Sequence, residues 1–275
     1  DMSGAPTLVF AHANGYPPGA YQPLLARLGE TYRVLAPEAR PLWPGARPED
    51  LGTWDVFVED WLKWAEREAL PPVIGVGHSM GAITLLQAAL KAPERFSGLV
   101  LIEPVLFTPG LLWTWRIVRA AGLGRRLHPL VRTTLRRRRH FASVAEMVGR
   151  YRRASVFRRI DDRGLHAYAE SLAAPAPDGG VTLRFTPEWE ARIYMTGAPD
   201  LWRRLPALKP PALIVAGSES DTFVPAAVSR ARRALPRAEV VVVPEAGHLV
   251  PLEKPEVVAK LIETFVERSA TDFTN

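Results

Sequence analysis

A serine, a histidine and a carboxylate decide what covalent chemistry this chain can perform. Val73 to Gly81 reads VIGVGHSMG, an apolar run that enters Gly77-His78-Ser79-Met80-Gly81 and passes directly into the helical pattern AITLLQAAL. A Gly-x-Ser-x-Gly turn between a buried strand and a helix predicts a strained serine whose hydroxyl stands above the sheet edge. The helix start behind it favours developing negative charge. A serine hydroxyl is a weak nucleophile and needs a base. Of the six histidines, His248 lies in Pro244-Glu245-Ala246-Gly247-His248-Leu249-Val250-Pro251, just after the last strand-like run. A loop at the carboxyl end of a sheet would bring it back over Ser79. His128, His140 and His166 read as surface or cap residues, and His12 and His78 as hydrogen-bonded structural histidines. The carboxylate that orients the imidazole is expected to be Asp221, in Ser220-Asp221-Thr222-Phe223-Val224-Pro225 after the run ALIVA. Glu219 is its near neighbour, and Glu103, at the end of GLVLI, is a second candidate.

Positioning these residues requires strands that end near one another. Thr7 to Ala13, Tyr32 to Pro37, Val73 to Gly77 and Gly98 to Ile102 are short runs rich in Val, Ile and Leu, as expected of strands buried on both faces. Helices are expected at about 19–29, 48–69 and 80–92, which makes an alternating pattern and hence a parallel sheet. The pattern resumes near residue 208, with strands Ala212 to Ala216 and Glu239 to Val243 and helices Pro225 to Leu235 and Pro255 to Glu267, each opened by proline. Between these regions, Leu111, Leu112, Trp115, Val118 and then Phe141, Val144, Met147, Val148, Tyr151 recur at helical spacing. Residues 105–207 therefore read as a helical insert, with Ala173 to Gly180 a local loop, between core segments 1–104 and 208–275. Its aromatic residues, Trp113, Trp115, Phe141, Tyr151, Phe157, Tyr168, Trp189 and Tyr194 among them, are expected mostly to pack on one another, with a few facing a pocket.

Composition narrows the chemistry. The 275 residues are 47% hydrophobic and 23% charged, with a net charge of +6, proportions of a globular protein rather than a disordered or fibrous one. No apolar run approaches a membrane span, the basic and apolar parts of a secretory leader are missing at Asp1, and a cytoplasmic location is expected. Zero cysteines exclude disulfides, thiolate metal sites and cysteine nucleophiles. No H-x-x-x-H, P-loop or G-x-G-x-x-G in a suitable context implies a metal or organic cofactor. Residues 104–200 hold 17 Arg, no Lys and 8 acids, a balance of +9 against −3 elsewhere. Such a patch can attract an anionic substrate, a membrane surface or nucleic acid, or be a solvated helical face. No reader motif accompanies it, so nucleic acid is not expected.

Taken together, Phe10-Ala11-His12-Ala13-Asn14-Gly15, Gly77-His78-Ser79-Met80-Gly81, Ser220-Asp221-Thr222-Phe223-Val224-Pro225 and Gly247-His248-Leu249-Val250-Pro251 resemble the α/β-hydrolase superfamily, in which the chain order Ser79, Asp221, His248 is the expected one. The resemblance covers both sheet regions. It implies an α/β fold, a mostly parallel sheet flanked by helices with a helical cap at the insert, and an oxyanion hole of two backbone N–H groups. One belongs to Met80. The other falls on Asn14, or on Ala13 if the alignment slides, because Ala13 stands where relatives have glycine after the histidine. The antiparallel strand pair that usually precedes the first strand is not found, since only six residues precede Thr7. Ala36 to Gly45 lacks the usual Asp-x-Arg-Gly pattern. Serine at position 79 argues against haloalkane dehalogenase and epoxide hydrolase chemistry, whose relatives use aspartate. The expected activity is hydrolysis of a small carboxylic ester or lactone. The alternatives are C–C bond hydrolysis of a vinylogous diketone acid, with a cap arginine on its carboxylate, and a non-catalytic ligand binder on the same fold.

Overall fold

The computed structural model describes residues 6–177 and 179–272. Strands β1 (Thr7–Ala11), β2 (Arg33–Leu35), β3 (Val73–His78) and β4 (Phe96–Ile102) alternate with helices α1 (Gln22–Gly29), α2 (Asp55–Arg67) and α3 (Met80–Lys91). After β4 the chain leaves the sheet for α4 (Pro109–Ala120), α5 (Gly124–Leu127), α6 (Pro129–Leu135), α7 (Val144–Tyr151), α8 (Asp162–Leu172), the strands β5 (Ala173–Pro175) and β6 (Val181–Leu183), and α9 (Pro187–Thr196). It returns through β7 (Ala212–Gly217), α10 (Pro225–Ala234) and β8 (Glu239–Val243), and closes with α11 (Val250–Glu253) and α12 (Pro255–Asp272).

Six strands form one sheet in the order β2-β1-β3-β4-β7-β8, every pair parallel. This is the α/β-hydrolase architecture expected from the sequence. Among the described residues no antiparallel strand precedes β1. Every residue of β3 and β7 is buried, which is why these segments read as unbroken apolar runs rather than alternating ones. The chain steps outward from β1 to β2 and then back across β1 to β3. That reversal opens a crevice at the carboxyl ends of β1 and β3, the place where open α/β sheets bind ligands.

Helix α3 runs directly out of β3 beneath that crevice, and the two glycines flanking Ser79 allow its close approach. A Cβ on Gly77 would stand 2.7 Å from the Ala82 backbone, and one on Gly81 only 2.0 Å from the Ala11 carbonyl oxygen. Neither position tolerates a side chain without moving β1 or α3.

One expectation is corrected in the insert. Ala173 to Gly180, read as a loop, begins in a two-stranded antiparallel hairpin pairing Ala173 with Leu183 and Pro175 with Val181. Three-residue strands containing proline carry no readable period. Phe141 bridges to Val181 and extends this hairpin.

Candidate functional site

The site assembles where β1, β3, β4 and β7 end. Ser79 follows β3 with φ 55° and ψ −114°, outside the favourable regions for a residue with a side chain. Its N–H donates to the Ile102 carbonyl at 2.9 Å, locking the turn to the neighbouring strand. His248 sits in the loop between β8 and α11, and its Nε2 lies 2.9 Å from the Ser79 hydroxyl.

On the other side of the imidazole the expected partner is absent. Asp221 is exposed and its carboxylate accepts from its neighbour Thr222 at 3.1 Å. The carboxylate beside His248 is that of Glu103, with Oε2 2.9 Å from Nδ1. The assignment of Asp221 is thus corrected to Glu103 as the residue that contacts the histidine. Two local features produce this. Glu103 directly follows β4 with φ 48°, a left-handed backbone that turns its side chain inward, and its N–H donates to the Val215 carbonyl of β7. In the loop after β7, Ser220 is the buried residue and Asp221 the exposed one.

Glu103 is wholly buried and fully partnered. Its Oε1 accepts from the Gly217 N–H at 2.6 Å, and its Oε2 accepts from the Ser220 hydroxyl at 2.5 Å as well as from His248. Ser220 Oγ in turn accepts from the N–H groups of Thr222 and Phe223. A buried carboxylate with three donors is compatible with remaining charged. Because a carboxylate only accepts, Nδ1 of His248 carries the proton, and Nε2 is left with the lone pair facing the serine hydroxyl.

A second chain of hydrogen bonds, which sequence reasoning passed over, runs behind the histidine. The Ala13 N–H donates to Tyr21 Oη at 3.2 Å, Tyr21 lies 2.7 Å from His78 Nδ1, and His78 Nε2 lies 2.9 Å from the His248 carbonyl. The carbonyl can only accept, so His78 donates from Nε2 and accepts the Tyr21 hydroxyl proton at Nδ1. Tyr21 is fully buried, and burial raises its phenol well above the usual tyrosine range. The only sequence signal for this relay was His78 inside the Gly-x-Ser-x-Gly motif. His12 ties the loop after β1 to that after β2, donating from Nδ1 to the Ala13 carbonyl at 2.9 Å and accepting from the Ala39 N–H at 3.1 Å.

Burial pushes His12 below the ordinary histidine range. It pushes His78 well below, with the nearby His248 adding to the effect. In the unfolded chain both take up a proton near pH 6.5. The folded state then binds fewer protons, so stability is full above pH 6.5 and lost as the pH falls. The loss approaches about 1.4 kcal/mol per pH unit for each of the two. Urea midpoints are expected to drop steadily from about pH 6.5 to 5; a flat midpoint over that interval would show that the fold accepts these protons.

The insert closes on the loop after β1. Asn14 Nδ2 donates to the Glu190 carbonyl of α9 at 3.1 Å, and Tyr16 stacks on Tyr168 of α8 with ring centroids 4.9 Å apart. Arg137 pairs with Glu190 at 2.5 Å and reaches the hydroxyls of Tyr151 and Tyr168, while Arg159 pairs with Glu219. The insert's aromatics divide: Phe141, Tyr151, Phe157 and Tyr168 pack on one another, and Trp113 is 66% exposed. A separate cleft of about 630 Å³ lies behind the loop after β1, lined by Trp43, Phe57, Trp61 and Trp64 together with Met80 and Thr84. It includes neither Ser79 nor His248.

Comparison with known proteins agrees with this architecture. The chain is 27% identical over 269 residues to a 2-(acetamidomethylene)succinate hydrolase from Mesorhizobium japonicum, covering 97% of this chain and 90% of that one. It is 26% identical to a pimeloyl-[acyl-carrier protein] methyl ester esterase from Xanthomonas oryzae pv. oryzae, with 95% of each covered. A crystal structure of E-2-(acetamidomethylene)succinate hydrolase superposes with a TM-score of 0.79 at 25% identity, covering 95% of this chain and 91% of that one. The model of the alpha/beta hydrolase family matches residues 8–261, and with the parallel sheet and the strand-turn-helix around Ser79 already in place, this chain belongs to that family of hydrolases.

Proposed function

We propose that this protein is a serine hydrolase that cleaves a carboxylic ester or lactone through an acyl-enzyme on Ser79. His248 acts as the base, Glu103 as the carboxylate that orients it, and residues 105–207 as a lid over the site. The observation that carries this reading is the unbroken contact line from the Ser79 hydroxyl through His248 to Glu103, 2.9 Å at each step.

In the first half-reaction the Ser79 oxygen attacks the carbonyl carbon while its proton passes to His248 Nε2. The imidazolium that forms is stabilised by Glu103. Negative charge collects on the carbonyl oxygen at the start of α3, where the Met80 N–H and the helix dipole point at it. The Ala13 N–H is engaged by Tyr21, which favours Asn14 as the second donor. His248 then gives its proton to the departing alkoxide. In the second half-reaction water loses a proton to His248, attacks the acyl carbon and releases the acid, restoring Ser79.

Relatives named for hydrolysis of a methyl ester and of an acetamidomethylene succinate support a small-molecule acyl substrate. The C–C alternative needs a cap arginine free to hold a carboxylate, but Arg137, which packs nearest the loop after β1, is already taken by Glu190, Tyr151 and Tyr168. That argument places the ester first. The test is labelling with a fluorophosphonate followed by product analysis on p-nitrophenyl esters and on a dienoic diketone acid. The expected result is a phosphonyl adduct on Ser79 and ester turnover with an initial burst. No adduct would favour the non-catalytic binder, and a higher kcat/KM on the diketone would move the reaction to C–C cleavage.

A further inference from the structure

Between Glu103 and Glu146 the chain carries nine arginines and no acidic residue. Six of the ten exposed large apolar side chains recorded among the described residues fall in the same stretch: Leu111, Trp113, Ile117, Leu123, Leu127 and Leu130. Ordinary surface helices separate these two chemistries, placing apolar residues inward and charges outward. Here α4 buries Leu112, while Trp113 and Ile117, one turn apart, are exposed beside the exposed Arg116. Helix α5 packs on both α4 and α6, and α6 packs on α9, so the stretch is anchored from beneath.

The arginines also divide. Arg137, Arg138 and Arg139, at the end of the run, pair with Glu190, Glu146 and Glu188. Arg116, Arg125, Arg126, Arg132 and Arg136 are exposed, and none of them forms an ion pair among the described residues. They cluster on the segment that also exposes the apolar residues.

We propose that the outer surface of α4 to α6, residues 109–136, docks this protein on an anionic phospholipid surface. Trp113, Ile117, Leu127 and Leu130 would enter the headgroup boundary while the unpaired arginines hold lipid phosphates. The composition matches that chemistry: an interfacial segment needs a wetted Trp and aliphatic side chains to bury, with cations that can extend to the phosphates above them. A second copy of this chain does not fit, because face-to-face contact would oppose unpaired arginines of like charge. Single-stranded nucleic acid would use stacking aromatics, whereas the exposed apolar side chains here are aliphatic apart from Trp113. Among the described residues no helix is long and apolar enough to cross a membrane, so attachment is peripheral and reversible.

The test is co-sedimentation of the whole chain with vesicles of phosphatidylcholine alone and of phosphatidylcholine with one third phosphatidylglycerol, at low and high salt. Partition into the anionic vesicles is expected, weakening with salt, and a blue shift of tryptophan emission that is lost in Trp113→Phe. Arg125→Gln with Arg126→Gln should weaken partition about 30-fold, at about fivefold per arginine. Trp113→Ser with Ile117→Ser should also weaken it. Both double variants should retain wild-type hydrolysis of a water-soluble ester, which shows that they are folded. No partition of the wild type, or partition insensitive to the Trp113 and Ile117 changes, overturns the proposal. So does retention on immobilised poly-glutamate without vesicle binding, which would assign the surface to an acidic protein.

Discussion

Replacing Ser79 with alanine is expected to lower kcat for ester hydrolysis on the order of 10⁶-fold, the scale seen when the nucleophile of a serine protease triad is removed alone. The oxygen is the group that bonds to the acyl carbon. Without it, only the positioning of substrate against the two backbone N–H groups remains, which leaves a residual acceleration over water of about 10³ to 10⁴. The fold should be unharmed or gain slightly, because Ser79 sits in a strained backbone position and its hydroxyl is not part of the core. The measurement is kcat on p-nitrophenyl butyrate at equal folded concentration, with urea unfolding alongside. A variant that keeps more than a tenth of the wild-type rate would show that Ser79 is not the nucleophile.

The second large effect separates the two carboxylates. In Glu103→Gln the amide presents one oxygen and one NH2 to three donors. If the NH2 faces His248, the imidazole must turn its lone pair to Nδ1, and Nε2 then holds a proton and no longer accepts one from Ser79. If it faces the Gly217 N–H instead, two donors meet in a fully buried place, at a cost of about 1–3 kcal/mol of stability. A fall in kcat of about 10⁴-fold is expected, as for the corresponding change in a serine protease. Asp221→Asn alters an exposed side chain bonded only to Thr222 and should change the rate about twofold or less. Both variants are assayed side by side for kcat and urea midpoint. Crippling by Asp221→Asn with Glu103→Gln near wild type would return the role to Asp221.

Several elements were legible because their cause is local. The strand Glu239–Val243 has the bounds read from its run of valines. The helices beginning at Pro225 and Pro255 start where proline permits a helix to start. The turn at Ser79 follows from two glycines between a strand-like run and a helix-like run. The β5–β6 hairpin was not legible, since three-residue strands interrupted by prolines give no period to detect.

By itself, then, the sequence determined the α/β class, the parallel sheet and the placing of Ser79 between β3 and α3, since each depends on periodicity or on steric limits within a few neighbouring residues. Which carboxylate reaches His248 was decided only in three dimensions. Glu103 and Asp221 each follow a sheet strand, and their motifs do not record which side chain turns inward. The choice rests on the left-handed backbone at Glu103 and on long-range partners, Gly217 and Ser220 from β7 and its loop and His248 from beyond β8. Those partners are brought within 3 Å of Glu103 only by the pairing of β4 with β7 and of β7 with β8, contacts between residues more than a hundred positions apart for which a local pattern has no term.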